Sequence, residues 1–218
     1  MTKAPHQTPQ ADTLDDLDYG MDSLDFLDDR EIETTKTITP RIMRADLKRQ
    51  AITMMKREHL RDVLKAKPAP GTAYHLIGNG KYDFWTWIPV LIEMMGHADE
   101  FYGSTWTLNR QACTELLDLF DQGKIRTIAM LTGLYFKRRE TAVYAKLMTG
   151  LTDRRQRYVC LENHAKVTLL ANHQTGDYMT IEGSANYTAN PRIEQYVICN
   201  DRTVYDFHKA WMEEVLSA

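Results

Sequence analysis

Apolar residues recur along the chain with two different spacings, and the spacing changes near residue 71. Residues 41–66 carry apolar side chains near helical spacing among many Lys and Arg, which predicts a basic amphipathic helix ended by Pro68 and Pro70. From Gly71 onward, short apolar runs alternate with helical patterns, which favours a mostly parallel sheet covered by helices. The predicted helices are 84–96, 110–123 and 138–150, and the predicted strands are 100–108, 125–131 and 157–162.

The alternation of strands and helices stops near residue 164. Residues 164–171 and 177–183 both have strand patterns, and the short connection between them predicts an antiparallel hairpin. A further strand at 194–200 and a closing helix at 203–218 follow. The predicted fold class is therefore α/β, with a mixed sheet flanked by helices.

Charge separates the N-terminal region from the rest of the chain. Residues 1–40 contain ten Asp or Glu and three Lys or Arg, a net charge of −7, whereas residues 41–70 contain nine basic and three acidic residues. An acidic block with few apolar residues is typical of disordered segments. We expect an acidic disordered tail, then a basic helix with its linker, then one α/β domain, at residues 1–38, 39–70 and 71–218.

The acidic tail has two interpretations. It is either a solvated tail, or a segment that binds a protein partner through Leu24, Phe26 and Leu27 while its aspartates mimic phosphates. The chain shows no apolar leader and no run of about 18 apolar residues, so we expect neither a secretory signal nor a membrane span. The three cysteines are widely spaced and odd in number, which indicates reduced thiols and a cytoplasmic protein.

Polar residues interrupt the hairpin at chemically suggestive positions. His164 and Lys166 are two residues apart in a predicted strand, so their side chains share a face. The hairpin then runs into the sequence GSANYT, where Gly183 allows a close approach of the backbone. Ser184 and Asn186 offer hydroxyl, amide and backbone N–H groups that suit a phosphate oxygen. Each feature alone is also typical of a structural histidine or an ordinary turn.

Two further residues bear on this motif. Glu194 opens the next predicted strand and can accept a hydrogen bond from an imidazole, which would set the tautomer of His164. His173 is close in sequence but falls in the hairpin turn, where we expect it to be exposed. No cysteine, histidine or carboxylate spacing indicates a metal site.

The combination of HAK at 164–166, GSAN at 183–186 and Glu194 resembles the HKD motif of the phospholipase D superfamily. The order of elements from about residue 72 onward also resembles that fold. The resemblance implies phosphodiester cleavage through a phosphohistidine intermediate, in which one imidazole attacks phosphorus and a second protonates the leaving oxygen. The motif occurs once, which resembles the small bacterial nucleases of the superfamily and implies a homodimer that shares one site.

The resemblance also implies a role for each motif residue. His164 would be the nucleophile in one subunit and the acid in the other, oriented by Glu194. Lys166, Ser184 and Asn186 would hold the non-bridging oxygens, and neither a metal nor a cofactor would be required. The Asp that the family usually has five residues after its Lys falls at Ala171 here, and the next Asp is Asp177.

Basic and aromatic runs favour DNA or RNA as the substrate. The basic helix, KRR at 137–139 and RRQR at 154–157 offer contacts to phosphates, and Tyr135, Phe136 and Tyr187 offer surfaces for base stacking. The same charges are also typical of solvated helix ends. The alternative function is a catalytically weak or inactive phospholipase D-like protein that binds nucleic acid and recruits a partner through its acidic tail.

Overall fold

A computed structural model describes residues 47–78, 80, 82–188 and 192–218, with the backbone alone for residues 47–51. The predicted acidic tail, including Leu24, Phe26 and Leu27, lies outside the described residues. The elements in chain order are α1 (Leu47–Leu64), β1 (Thr72–Gly78), α2 (Phe84–Met95), β2 (Ala98–Thr105), α3 (Arg110–Asp121), β3 (Ile125–Gly133), α4 (Leu134–Arg139), α5 (Thr141–Asp153), β4 (Arg157–Leu161), β5 (Val167–Asn172), β6 (Asp177–Gly183), β7 (Glu194–Asn200) and α6 (Arg202–Ser217).

The described strands form one seven-stranded sheet in the order β1-β7-β6-β5-β2-β3-β4. Strands β2, β3 and β4 run parallel, and the β5–β6 hairpin is antiparallel as predicted. The mixed α/β sheet is therefore confirmed, with parallel pairing among the strands that alternate with helices and antiparallel pairing among the rest. The chain returns from β4 to place β5 antiparallel against β2, so β5, β6, β7 and β1 extend the sheet in antiparallel fashion.

Apolar side chains cover both faces of the sheet. Successive residues of a strand point to opposite faces, so Leu170 joins the core beneath α2 and α3, while Leu169 joins a smaller core beneath α6. The helix α6 packs against β3, β4, β5 and β6. No described helix is both long and apolar enough to cross a bilayer.

Several predicted boundaries are wrong in a way that affects the site. Strand β5 begins at Val167, so His164 and Lys166 precede the strand and lie in the segment that connects it to β4. The predicted helix 138–150 is two helices, α4 and α5, because the backbone leaves helical geometry at Glu140 (φ −111°, ψ 48°). The predicted strand 100–108 begins at Ala98 and ends at Thr105.

The predicted helix at 41–66 is present as α1, but its apolar face is narrower than expected. Leu60 and Leu64 are buried, and α1 packs against α2. Other apolar residues of the helix, namely Met54, Met55 and Val63, are exposed. The helix therefore covers one edge of the core with a narrow strip and leaves most of its surface in solvent.

Candidate active site

The segment that carries His164 is held by hydrogen bonds to the end of β2. The Asn163 side-chain amide donates to Ser104 Oγ at 3.0 Å, and its oxygen accepts from the backbone N–H of Ala165 at 3.0 Å. Ser104 Oγ also lies 3.2 Å from the carbonyl oxygen of Ala165. These side-chain contacts replace ladder hydrogen bonds, which explains why β5 starts only at Val167.

His164 and Lys166 point the same way, as predicted, although neither belongs to a strand. Lys166 Nζ lies 2.9 Å from His164 Nδ1 and 2.7 Å from the His164 carbonyl oxygen. The lysine is 9% exposed, whereas the histidine is exposed. Burial lowers the pKa of Lys166 below its usual range, and the charge of Glu194 acts in the opposite direction. The site thus holds a partly desolvated ammonium beside an accessible imidazole.

The turn after β6 brings Ser184 to Glu194. A Cβ atom at Gly183 would lie 2.7 Å from the carbonyl oxygen of Gln195, so the close approach of these two strands requires glycine. The Ser184 hydroxyl donates to the buried carboxylate of Glu194 and accepts from the backbone N–H of Gln195 at 3.1 Å. Glu194 therefore contacts Ser184 and acts electrostatically on Lys166, while its predicted hydrogen bond to His164 stays a prediction.

Three of the five predicted site residues line one open cavity of about 610 Å³. Its lining combines the histidine, lysine and serine of the motif with residues of β5, β6 and β7. Glu194 is buried next to it. The lining residues are His164, Ala165, Lys166, Val167, Glu182, Gly183, Ser184, Gln195 and Val197.

Asn186, the fifth predicted residue, contacts the end of β2. Its side-chain oxygen accepts from Thr105 Oγ1 at 3.4 Å, and the residue is half-buried. Asn186 is not among the residues that line the cavity. Its predicted contact with a phosphate oxygen therefore stays a prediction.

Asp177 does not take the position at which the family usually has its Asp, which is Ala171 in this chain. Ala171 is fully buried and pairs with Glu100 of β2. Asp177 lies at the start of β6, whereas Ser184 follows its end, and its carboxylate binds Lys67 and Asn200. Burial raises the pKa of Asp177, but the hydrogen bonds from Lys67, Thr175 and Asn200 outweigh it and lower the pKa overall. Asp177 thus serves the fold far from His164.

The basic runs that favoured nucleic acid are partly neutralised. On α1, Arg57 pairs with Glu115 at 2.6 Å and Arg61 pairs with Glu93. In RRQR, Arg154 and Arg157 pair with Asp121 and Glu213, and the run lies at the start of β4, the end of the sheet opposite to His164. Among the described residues of these runs, KRR at 137–139, on α4, is the run that is exposed near the end of β3 that adjoins the site.

The aromatic residues predicted to stack on bases differ in exposure. Phe136 and Tyr187 are fully buried, so they offer no surface for a base, whereas Tyr135 is exposed. Sequence reasoning missed Trp106, whose ring centroid lies 5.3 Å from that of His164. The signal available was weak, because Trp106 is a single aromatic residue 58 positions before the motif.

Two other histidines near the motif are accounted for. His173 is exposed in the hairpin turn, as expected, and its Nε2 lies 3.2 Å from Glu100. His208 of α6 lies 3.2 Å from Glu182, and Trp211 Nε1 donates to its Nδ1. Among the residues the structure describes, no group of three or more His, Cys, Asp or Glu is placed to hold a metal ion.

No protein-family model and no curated protein matches the sequence. Solved structures with a similar fold include Nuc from Salmonella typhimurium, a phospholipase D family member, with 13% identity and a TM-score of 0.47 over 66% of this chain and 93% of Nuc. Polyphosphate kinase from Porphyromonas gingivalis is 11% identical with a TM-score of 0.48, over 67% of this chain and 26% of the kinase. The archaeal chromatin protein TrmBL2 is 13% identical with a TM-score of 0.45, over 77% of this chain and 62% of TrmBL2.

The similar structures thus include a member of the family that the motif resembles. The chain spans most of Nuc but only about a quarter of the kinase. All three TM-scores lie below 0.5.

Proposed function

We propose that the protein is a metal-independent phosphodiesterase, a nuclease of DNA or RNA, that works through a phosphohistidine intermediate in a site shared by two copies. The observation that supports it is the convergence of His164, Lys166 and Ser184 on one open cavity. A buried carboxylate, Glu194, lies behind the serine. A nucleophile, a cation and a hydroxyl that line the same cavity are what cleavage of a phosphodiester requires.

The reaction has two displacement steps. In the first, Nε2 of His164 forms a bond to phosphorus, the P–O ester bond breaks, and the leaving oxygen takes a proton from the imidazolium of His164 in the second copy. In the second, that neutral imidazole takes a proton from water, the oxygen of which bonds to phosphorus as the N–P bond breaks. Lys166, Ser184 and Asn186 hold the non-bridging oxygens, where developing negative charge is stabilised.

The exposed sheet face beside the cavity supports a homodimer. Ile77 of β1 and Ile193, just before β7, are 76% and 79% exposed. Ile77 pairs with Gln195, which lines the cavity, so these two side chains lie on the same face of the sheet, and Ile193 precedes Gln195 by two residues. Exposed branched apolar residues at the rim of a cavity mark a surface that another molecule covers. A second copy that covers this face would bring a second His164 to the phosphate.

One contact favours the alternative function. Lys166 Nζ lies nearer to Nδ1 of His164 (2.9 Å) than to Nε2 (3.4 Å), and an imidazole that accepts from this ammonium through Nδ1 keeps its proton on Nε2, the atom that must attack phosphorus. A protein that only binds phosphates, and recruits a partner through its acidic tail, would tolerate this arrangement. The nuclease must instead move Lys166 from Nδ1 to the phosphate when substrate binds, so that Glu194 can take its place.

A cleavage assay with purified full-length protein separates the two functions. Fluorescent single-stranded and double-stranded DNA and RNA are incubated with and without EDTA, and His164→Ala is the matched control. We expect cleavage that persists in EDTA and is absent in the variant. Binding without cleavage of any of these substrates would favour the alternative, and cleavage restored only by added Mg²⁺ would overturn the metal-independent route.

A further inference from the structure

Two aromatic rings form a stacked pair beside His164. The rings of Trp106 and Tyr135 have centroids 4.1 Å apart with an angle of 20° between their planes. Trp106 also contacts the imidazole of His164, at 5.3 Å between centroids. Tyr135 therefore lies one ring away from the proposed nucleophile. It is 42% exposed, so part of its ring is open to solvent.

The backbone holds Trp106 in this position. A Cβ atom at Gly133 would lie 2.6 Å from Trp106 Cδ1 and 2.8 Å from the carbonyl oxygen of Asn163, so only glycine lets the indole lie against β3. The backbone N–H of Gly133 donates to the carbonyl oxygen of Trp106 at 3.3 Å. Tyr135 follows Gly133 by two residues and is the second residue of the short helix α4. The ring pair is thus built into the ends of β2 and β3, next to the anchored His164 segment.

Exposed positive charge follows the ring pair along the chain. Lys137, Arg138 and Arg139 form the last turn of α4, and all three are exposed. Lys137 lies 5.6 Å from the centre of the Tyr144 ring. Cations near an aromatic platform suit a strand of nucleic acid, because phosphates alternate with bases along it.

From this geometry we infer that the exposed face of Tyr135, backed by Trp106, stacks on an unpaired base next to the scissile phosphate, so that the substrate is single-stranded nucleic acid. The inference deepens the proposed function and rests on it for the position of the phosphate. A base in a duplex has both faces covered by its neighbours, whereas a base in a single strand can turn one face to the protein. The stacked rings of Trp106 and Tyr135 together form the platform for this base.

The test measures binding in a chain that cannot cleave. In the His164→Ala background, fluorescence anisotropy compares a single-stranded oligothymidylate of about 12 nucleotides, an abasic strand of equal length and a duplex. Tyr135→Ala should weaken binding of the oligothymidylate roughly ten-fold and leave binding of the abasic strand within about two-fold. Tyr135→Phe keeps the ring and should bind like the parent, whereas Tyr135→Leu keeps bulk without the ring and should resemble Tyr135→Ala.

Each outcome separates this inference from the proposed function. Equal losses for the oligothymidylate and the abasic strand would overturn stacking, because Tyr135 would then act without the base. Equal or tighter binding of the duplex by the parent would overturn the single-strand preference. If no strand is cleaved by the wild-type protein but the base-dependent loss is present, the platform stands and the nuclease proposal falls. If the wild-type protein cleaves a strand but Tyr135→Ala shows no base-dependent loss of binding, the nuclease proposal stands and the platform is overturned.

Discussion

Lys166 Nζ lies 2.9 Å from Nδ1 of His164, so the proposed nucleophile and the proposed phosphate ligand contact each other directly. Nζ also lies 3.4 Å from Nε2, and a neutral imidazole that accepts from the ammonium through Nδ1, the nearer nitrogen, carries its proton on Nε2. Attack on phosphorus requires the reverse tautomer, with the Nδ1 proton held by an acceptor such as Glu194. An anionic substrate that draws Lys166 away would therefore also release the histidine.

Lys166 should make activity sensitive to alkaline pH. Burial lowers the pKa of Lys166 below 10.5, the ordinary value for lysine. The side chain therefore loses its charge at a lower pH than an exposed lysine would. If that charge stabilises the transition state, kcat/KM falls as pH rises through this lowered pKa. Lys166→Arg keeps the charge at every accessible pH, so its rate should be lower at neutral pH but should lack this alkaline decline. Parallel pH profiles of the two proteins would contradict the role of Lys166.

His164 should be essential and His173 dispensable. Replacing His164 with Ala or Asn removes both nucleophile and acid, and we expect a loss of roughly 10³-fold or more in cleavage with nucleic-acid binding retained. His173 lies in the exposed turn against Glu100, so His173→Ala should change the rate by less than about two-fold. Gel-based cleavage rates, with circular dichroism to verify folding, check both. An inactive His173→Ala protein that remains folded would show that the motif has been misassigned.

The exposed isoleucines should hold the two copies together. Light scattering of the wild-type protein should give about twice the chain mass of 25.3 kDa. The double substitution Ile77→Asp and Ile193→Asp places charges on the face beside the cavity, so it should give monomers and abolish cleavage without unfolding the chain.

Met148 provides a matched control for that pair. It is 40% exposed on α5, away from the proposed interface, so Met148→Asp should leave both the mass and the rate unchanged. Full activity of a monomeric Ile77→Asp, Ile193→Asp variant would rule out the shared site.

Asp177 should contribute to stability but not to catalysis. It is buried and binds Lys67, Thr175 and Asn200, so Asp177→Asn should lower the free energy of unfolding by about 2 kcal/mol at pH 7 while leaving cleavage intact. Its folded pKa is below the ordinary 3.8, so its contribution is present above that pH and is lost as pH falls through the folded pKa.

Urea denaturation at pH 7 and near pH 3 tests whether the contribution of Asp177 to stability falls as the pH is lowered. The wild-type protein should lose more stability than Asp177→Asn between the two pH values. Asp206 forms an exposed pair with Arg202, so Asp206→Asn is the matched surface control, with an expected change below about 0.5 kcal/mol. Identical acid sensitivity of wild type and Asp177→Asn would show that Lys67 does not stabilise this carboxylate.

The sequence by itself determined the features that depend on local spacing. The β5–β6 hairpin, the strand at 194–200 and the side-by-side placement of His164 and Lys166 all follow from residues close in the chain. The direction in which β5 enters the sheet does not, because a strand pattern states which face is apolar but not which neighbour it pairs with. That pairing with β2 places Asn163 against Ser104, and the strand begins only after His164 and Lys166.

Only the tertiary structure decided which charged and aromatic residues belong to the site. RRQR and the basic helix look similar to KRR in sequence, yet carboxylates from distant elements pair with Arg57, Arg154 and Arg157. Phe136 is buried while Tyr135, its neighbour, is exposed, because consecutive helical residues point in different directions. Trp106 reaches His164 because β2 and the segment before β5 end at the same edge of the sheet, a contact that packing creates and local spacing does not encode.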